Sequence, residues 1–345
     1  MLGGGIYVSQ NKTLPGSYIN FVNASTASSS IGERGVVAIA LPLNKAPGTV
    51  IELSRADFVS NSTELLGKAY DSADVVALRE IFCNATKVYI YDLGTDGEVA
   101  DAINAFEAYD FNVICAYTDT AETITAYITA VKSWRDEAGK KCQLVVYNQT
   151  NVDHEGVINV VSTVSDEDAP DYSLVAWVAG AEAGCKINES CTNKLYNGEY
   201  TIKTDKTQKQ LEDCIKNGQI AFHLVYGDVR LLEDLNSLTT TNAEKGEDFK
   251  YNQTIRVIDQ IANDIAKLFN TKYLGKIPNN ASGRVSLWAD IVSHHRDLEA
   301  VQAIESFDSS MLTVEQGSSK KSVVVNDVIT VTNAMAQLYM TVYIQ

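Results

Sequence analysis

Few groupings along the chain have the residue types and spacing that chemistry requires. His154-Glu155 opens like the helix of a zinc protease, in which a second His four residues on completes the metal pair, but position 158 is Ile. Gly180-Ala-Glu-Ala-Gly184-Cys185-Lys186-Ile187 is close to a phosphate loop, yet three residues separate its glycines where four are needed. Ile187 also stands where Ser or Thr would hold magnesium, and the run follows a predicted helix rather than a strand. His294 and His295 are adjacent, so on a helix they point about 100° apart and do not readily share a metal. His295 falls on an apolar stripe and reads as a satisfied core histidine. Asp166-Glu167-Asp168 could offer carboxylates to a divalent cation, but three consecutive side chains diverge, and such a run reads as a solvated loop. Cys185 and Cys191 are spaced neither as a C-x-x-C redox pair nor as a zinc knuckle. Cys83, Cys115 and Cys142 lie in apolar segments, where free Cys acts as a small hydrophobe. With no G-x-S-x-G elbow and no dinucleotide fingerprint, nothing here makes a positive case for an enzyme, a metal or a cofactor.

A chain of 345 residues predicts about two domains. The formal net charge of −16 argues against a general nucleic-acid binder, which needs a basic footprint. Residues 101–200 carry six basic against sixteen acidic side chains. Either the middle forms a solvated face while the near-neutral ends meet other protein, or the charge serves general solubility. The longest apolar runs, such as 35–43 and 174–181, stop short of the roughly 18–20 residues that span a bilayer. The first residues lack the basic and apolar regions of a secretory signal, so the expectation is synthesis in the cytosol with reduced thiols.

Several elements can be read from pattern alone. After Pro15-Gly16, the stretch Ser17, Tyr18, Ile19, Asn20, Phe21 and Val22 reads as a strand within an arm of residues 1–34. From 36 the pattern gives strands at 36–41 and 49–53 and helices at 54–66 and 72–84. Between 87 and 163 strands alternate with helices near 97–108 and 120–138, which predicts βαβ units and a parallel sheet covered on both faces. A helix starting near 166–170 runs to Gly184, residues 185–250 read as short strands and polar loops, and a strand lies at 219–227. Helices follow near 251–271, with apolar residues three and four apart, and after Pro278. The last 35 residues read as strands. In the final one Leu338, Met340, Val342 and Ile344 alternate with Tyr339, Thr341 and Tyr343. A strand of this kind must pair within its own sheet or a neighbour's, because a bare edge invites pairing. The fold class is therefore α/β with some α+β character: a core with a parallel or mixed sheet, extended arms at both ends and a C-terminal β-hairpin or strand.

Ala176 to Thr192 (AWVAGAEAGCKINESCT), Asp234 to Thr240 (DLNSLTT), Tyr251 to Asp264 (YNQTIRVIDQIAND), Tyr273 onward (YLGKIPNNASGRVSLW) and Asn326 onward (NDVITVTNAMAQLYMTVYI) together resemble the contractile tail sheath proteins of phages and phage-tail-like bacteriocins. Pro15-Gly16-Ser17-Tyr18 and Gly32-Glu33-Arg34-Gly35 are similar to the sheath opening. The short passage from strand 36–41 into the α/β part looks like a minimal sheath.

The resemblance implies a structural subunit with no catalytic step and no cofactor. Subunits would form stacked six-membered rings around an inner tail tube protein, with baseplate and tail terminator proteins as further partners, in a particle released by lysis. Contraction would drive the tube through the target envelope without membrane insertion or nucleic-acid binding. The implied domains are a 1–34 arm, an inner tube-facing domain of 35–86 plus 201–331, an outer acidic α/β subdomain of 87–200, and a terminal arm of 332–345. Strands 17–22 and 338–344 would join neighbouring subunits by β-augmentation, with hinges near Asn23, Ser25, Thr332 and Asn333. Lys320 and Lys321 are candidates for contact with the tube. Without the resemblance, both arms could equally close a sheet within one monomer, and the rival class is a cytosolic α/β enzyme whose strand ends carry a site.

Overall fold

A computed structural model of the chain describes residues 31–344. The 17–22 strand and the Asn23 and Ser25 hinge positions lie outside the described residues. In chain order the first half contains β1 (Val36–Leu41), β2 (Val50–Ser54), α1 (Arg55–Leu66), α2 (Val76–Phe82), β3 (Lys87–Asp92), α3 (Val99–Phe106), β4 (Val113–Cys115), α4 (Ala121–Ser133), β5 (Gln143–Tyr147), β6 (Val157–Val160) and α5 (Leu174–Gly184). The second half contains α6 (Gln208–Lys216), β7 (Gln219–Ile220), β8 (Phe222–Val225), β9 (Asp228–Leu231), α7 (Asn252–Leu268), α8 (Ala281–Ala300), β10 (Thr313–Gln316) and β11 (Val323–Asn326).

Seven strands form one sheet in the order β2-β3-β1-β4-β5-β6-β7. All neighbours are parallel except β2 and β3. Because alternate residues of a strand face opposite ways, Val37 and Ile39 of β1 join Phe58, Leu78 and Trp177 from α1, α2 and α5 on one face. Ala38 joins Phe106, Tyr127 and Trp134 on the other, beneath α3 and α4. The predicted α/β class with a mostly parallel sheet is the observed one, and an antiparallel hairpin, β10–β11, lies near the C-terminus.

The first domain boundary is corrected by this topology. β1 pairs with β3 along its whole length and with β4, so a cut at residue 86 would divide one sheet. Residues 35–86 therefore belong with 87–200, and β7, from the expected inner domain, completes the same sheet. The second core is made by α7, α8 and the hairpin, around Val257, Leu287, Ile291, Leu298 and Phe307.

Two buried arginine bridges bolt the two cores together. Arg135, in the turn after α4, pairs with Asp259 of α7, and Arg256 of α7 pairs with Glu182 of α5 at 2.7 Å and Asp234 at 3.2 Å. Burial, reinforced by the Asp234 charge, pushes the Glu182 carboxyl well above the usual carboxylate range. Burial would also raise Asp234, but the Arg256 charge and a set of hydrogen bonds hold it below that range. The two acids of the cluster are thus pushed in opposite directions.

Asp92, at the end of β3, is fully buried and accepts N–H groups from Leu43, Asn44, Lys45, Ala46 and Gly94 at 2.7–3.1 Å. Those donors outweigh its burial and lower its pKa.

Candidate functional site

Several of the catalytic lookalikes have structural partners. Gly180 and Gly184 lie in the continuous helix α5, which is apolar on every side because it is buried on every side. A Cβ at Gly180 would meet the Ile81 carbonyl oxygen at 2.3 Å, and one at Gly184 the Asn84 oxygen at 2.1 Å. The glycines let α5 approach the backbone of and after α2; they do not cradle phosphate. His154 accepts the Gly156 N–H on Nδ1 and lies 3.3 Å from Asp136 through Nε2. The thiol of Cys191 lies close to the Glu182 and Asp234 carboxyl groups, both of which Arg256 contacts. His294 and His295 are both buried and each meets one carboxylate, Asp264 and Asp327 respectively.

Asp166 and Asp168 line a crevice of about 760 Å³ at the carboxyl ends of β1, β3 and β4, with Tyr117, Tyr172 and Tyr200. Asp166 accepts the Thr201 N–H, and Arg79 at the rim is committed to Glu199 and the Tyr70 and Ser72 carbonyls. Among the described residues, no His, Cys, Ser or Lys lines this crevice.

A different surface carries the unsatisfied chemistry. Residues 338–344, expected as a strand, are in neither helix nor strand in the single chain. Leu338, Met340, Val342 and Ile344 are 86, 75, 69 and 94% exposed, and Tyr339 and Tyr343 are exposed with them. The alternating pattern is present in the sequence, and among the described residues the segment has no strand partner.

Its root is fixed. Gln253 of α7 grips residues 332–334 from both sides, donating Nε2–H to the Thr332 carbonyl at 3.2 Å and accepting the Ala334 N–H at 2.9 Å. Thr254 donates its hydroxyl to the Asn333 side-chain oxygen, and Thr332 N–H bonds the Ala303 carbonyl. Thr332 and Asn333, expected as hinge residues, are thus hydrogen-bonded to α7 and to the loop after α8. Residues 333–337 border a crevice of about 810 Å³ shared with Tyr251, His223 and Glu233.

The β10–β11 hairpin is a two-stranded sheet of its own. Thr313 pairs with Asn326 through to Gln316 with Val323, and each strand has one sheet partner among the described residues, so the outer edge of each is open. Val324 and Val325 are exposed. Trp288 of α8 donates its indole N–H to the Leu312 carbonyl, and Asn279 holds the tip through the Lys320 and Ser322 carbonyls. Lys320 and Lys321 therefore project from a braced turn. Sequence reasoning gave no sign of the Gln253 contacts, since a Gln inside a helical pattern carries no positional signal.

Comparison with known proteins agrees with this architecture. Residues 94–237 match the phage tail sheath protein central domain, and residues 244–345 match the phage tail sheath C-terminal domain. The tail sheath protein of Clostridium phage phiCD119 is 27% identical over 293 residues, covering 84% of this chain and 81% of its own. The chain spans 56% and 57% of the lengths of two Bacillus subtilis relatives, YqbK and the phage-like element PBSX protein XkdK, each 28% identical where they align. Among solved structures, the sheath tail protein of Desulfitobacterium hafniense shares the fold with a TM-score of 0.77 at 23% identity, covering 92% of this chain and all of its own. The helical sheath of the anti-feeding prophage in its contracted state also shares it, with a TM-score of 0.71 at 15% identity over 97% of this chain and 99% of its own. The two domain matches, adjoining in the order a sheath requires, show that the chain belongs to the phage tail sheath family.

Proposed function

We propose that this chain is the repeating subunit of a contractile sheath: it polymerises as stacked six-membered rings around an inner tube and contracts by rigid rotation of subunit bodies whose arms stay linked. The observation that carries the reading is the exposed, alternating segment 338–344 beside a hairpin with open edges. Added to the hairpin of a second copy, that segment gains main-chain hydrogen bonds worth a net ~0.5–1.5 kcal/mol each and buries its apolar face. Passed in one direction from copy to copy, that donor-to-acceptor contact is heterologous and propagates along a polymer. Residues 17–22 would supply a second shared strand, with Asn23 and Ser25 in its hinge.

The pivot of the C-terminal arm is Met335 to Gln337, immediately beyond the Gln253 anchor. Body rotation then needs no breakage of the root contacts. The body retains residues 35–331 as one unit that moves together, braced by the Arg135–Asp259 and Arg256 bridges. Lys320 and Lys321 at the hairpin tip would meet an acidic tube surface, and baseplate and terminator proteins would meet the two ends of the polymer. The reading includes no catalytic step.

Negative-stain electron microscopy of the full-length chain beside a version ending at Gln337, each with and without the cognate inner tube, tests this. Tubes or tube-bound sheath only with the full-length chain are expected. Sheath formed equally well by the truncated chain would exclude residues 338–344 as the link, and no sheath from the full-length chain even with the tube would reopen the enzyme reading.

A further inference from the structure

The chain leaving α5 turns back on the helix. Glu189 N–H bonds the Lys186 carbonyl at 3.1 Å, and this turn returns the loop to the helix end. Cys185, the first residue after α5, and Cys191, at the far end of the loop, are thereby brought together although five residues separate them. Cys191 Sγ lies 3.5 Å from the Ala181 carbonyl oxygen, one helical turn before Cys185. Cys185 Sγ lies 3.5 Å from the Glu189 carbonyl oxygen, two residues before Cys191. The two thiols also hydrogen-bond to each other. Both are free, and at 4 and 0% exposure they are shut off from a bulky disulfide reagent; a peroxide, little larger than water, is an oxidant of suitable size.

We propose that Cys185 and Cys191 are a modification site: a peroxide joins them in a disulfide that fastens the 186–190 loop to the end of α5. Cys185 is the attacking thiol. Its hydrogen bond with Cys191, aided by the Arg256 charge, outweighs burial and lowers it to about 7, whereas burial raises Cys83, Cys115, Cys142 and Cys214. The Cys185 thiolate attacks one oxygen of hydrogen peroxide, the O–O bond breaks, and the departing hydroxide takes up the proton the thiol released, leaving a sulfenic acid and water. Cys191 then attacks the Cys185 sulfur. The S–S bond forms, the S–O bond breaks, and the oxygen leaves as a second water with the Cys191 proton. Two thiols are oxidised by two electrons, and one peroxide is reduced to two waters.

The bond acts on the joint between the two cores. In the bridged loop the Glu189 carbonyl accepts Arg256 at 2.7 Å, Ser190 donates its hydroxyl to Asp234 at 3.1 Å, and the Cys191 N–H donates to the same carboxylate at 2.8 Å. From α5, Glu182 meets the same Arg256. The disulfide therefore closes a ring through the segment that holds this clasp and removes the loop's freedom to open. It is expected under oxidising conditions and absent in a reduced cytosol. For a sheath subunit that places its formation after the particle is released, and this timing alone rests on the sheath reading.

The experiment uses the full-length chain, purified in reductant, freed of it and exposed to a few equivalents of hydrogen peroxide. Intact mass and tryptic mapping without reduction follow. The expected product has lost two hydrogens. Trypsin cuts after Lys186 and Lys194, so the bond appears as a peptide ending at Lys186 joined to residues 187–194. Cys185→Ser should lack the joined pair, which distinguishes Cys185 from Cys142 on the same peptide. Cys191→Ser should stop at a sulfenic acid on Cys185 that dimedone traps. Backbone hydrogen exchange at 186–192 in the parent should slow about tenfold on oxidation and recover with dithiothreitol. Oxygen gained at Cys185 with Cys191 still free, a bond to a different cysteine, or both thiols unreacted after the half-buried Cys83 has been oxidised would overturn the proposal. A disulfide that leaves exchange at 186–192 unchanged would overturn the fastening. None of these signals depends on tube formation, so this proposal and the sheath reading fail separately.

Discussion

Replacing Arg256 with alanine removes the cation on which a buried acid pair depends. The guanidinium is fully buried, contacts Glu182 at 2.7 Å and Asp234 at 3.2 Å, and donates to the Glu189 carbonyl at 2.7 Å. Without it the Asp234 charge is left in the interior unpaired, which costs about 3–5 kcal/mol. Glu182→Gln should cost less than ~1 kcal/mol, because burial already favours the neutral form of Glu182 and glutamine is nearly its shape. The pH dependence separates the two acids. Glu182, with its folded pKa raised, contributes fully below the ordinary carboxylate range and less as pH rises through its own. Asp234, with its folded pKa lowered, contributes above that range and loses its contribution as pH falls. Arg256→Ala should therefore recover part of its loss between about pH 7 and about pH 5, as protons discharge the stranded carboxylate. Urea unfolding followed by tryptophan fluorescence reads this directly, since Trp177 on α5 is fully buried beside the cluster's helix. A cost below ~1 kcal/mol for Arg256→Ala, or a Glu182→Gln cost equal to it, would refute the opposite displacement of the two acids.

Ending the chain at Gln337 should leave urea stability of the body within ~0.5 kcal/mol of the parent, because the removed side chains are solvent-exposed; a larger loss would mean that 338–344 packs on the body. Gly180→Val should cost at least ~1–3 kcal/mol in the same assay, since the new Cβ meets a backbone oxygen that cannot swing aside. Asp92→Asn turns a donor toward the Lys45 or Ala46 N–H and should cost about 1–3 kcal/mol at neutral pH. Because the folded pKa of Asp92 is lowered, its stabilisation is lost as pH falls, and an acid titration by circular dichroism should show a shallower decline in the variant. Lys320→Glu with Lys321→Glu should weaken co-sedimentation of sheath with inner tube while leaving ring-to-ring links intact, and added salt should reproduce the effect in the parent.

Much of this fold could be read because its elements obey strong periodicities. The strand and helix alternation from Val36 to Tyr147 and the three-four spacing of Ile255, Ile258, Ile261 and Ile265 place their elements within a few residues of where they stand. The misses have physical causes. α6 was passed over because its face is mostly polar, although Thr207 and Gln210 form a capping box that announces a helix start. α5 begins at Leu174, not near Pro170, because Asp166 is spent on Thr201 and the Pro170 carbonyl receives the Ser173 amide and hydroxyl in a separate turn. The break at residue 86 looked like a domain edge because sequence order says nothing of strand order, and β1 lies between β3 and β4. The 338–344 pattern was legible as a strand, but periodicity specifies a pleat and a buried face without saying whose sheet supplies them.

The grip of Gln253 on residues 332–334 also fixes a length. If residues 338–344 are committed to a partner, only Met335, Ala336 and Gln337 are left as slack, and three residues span at most ~10 Å. A body so leashed can tilt and swing about its fastening through a large angle, yet it cannot withdraw from its neighbour by more than that span. The geometry sets a kinematic rule for any polymer built this way: orientation is free, separation is not, and displacement of one subunit is handed to the next as tension in a short strap. Lengthening that strap by a few glycines would weaken the transmission without weakening a single contact.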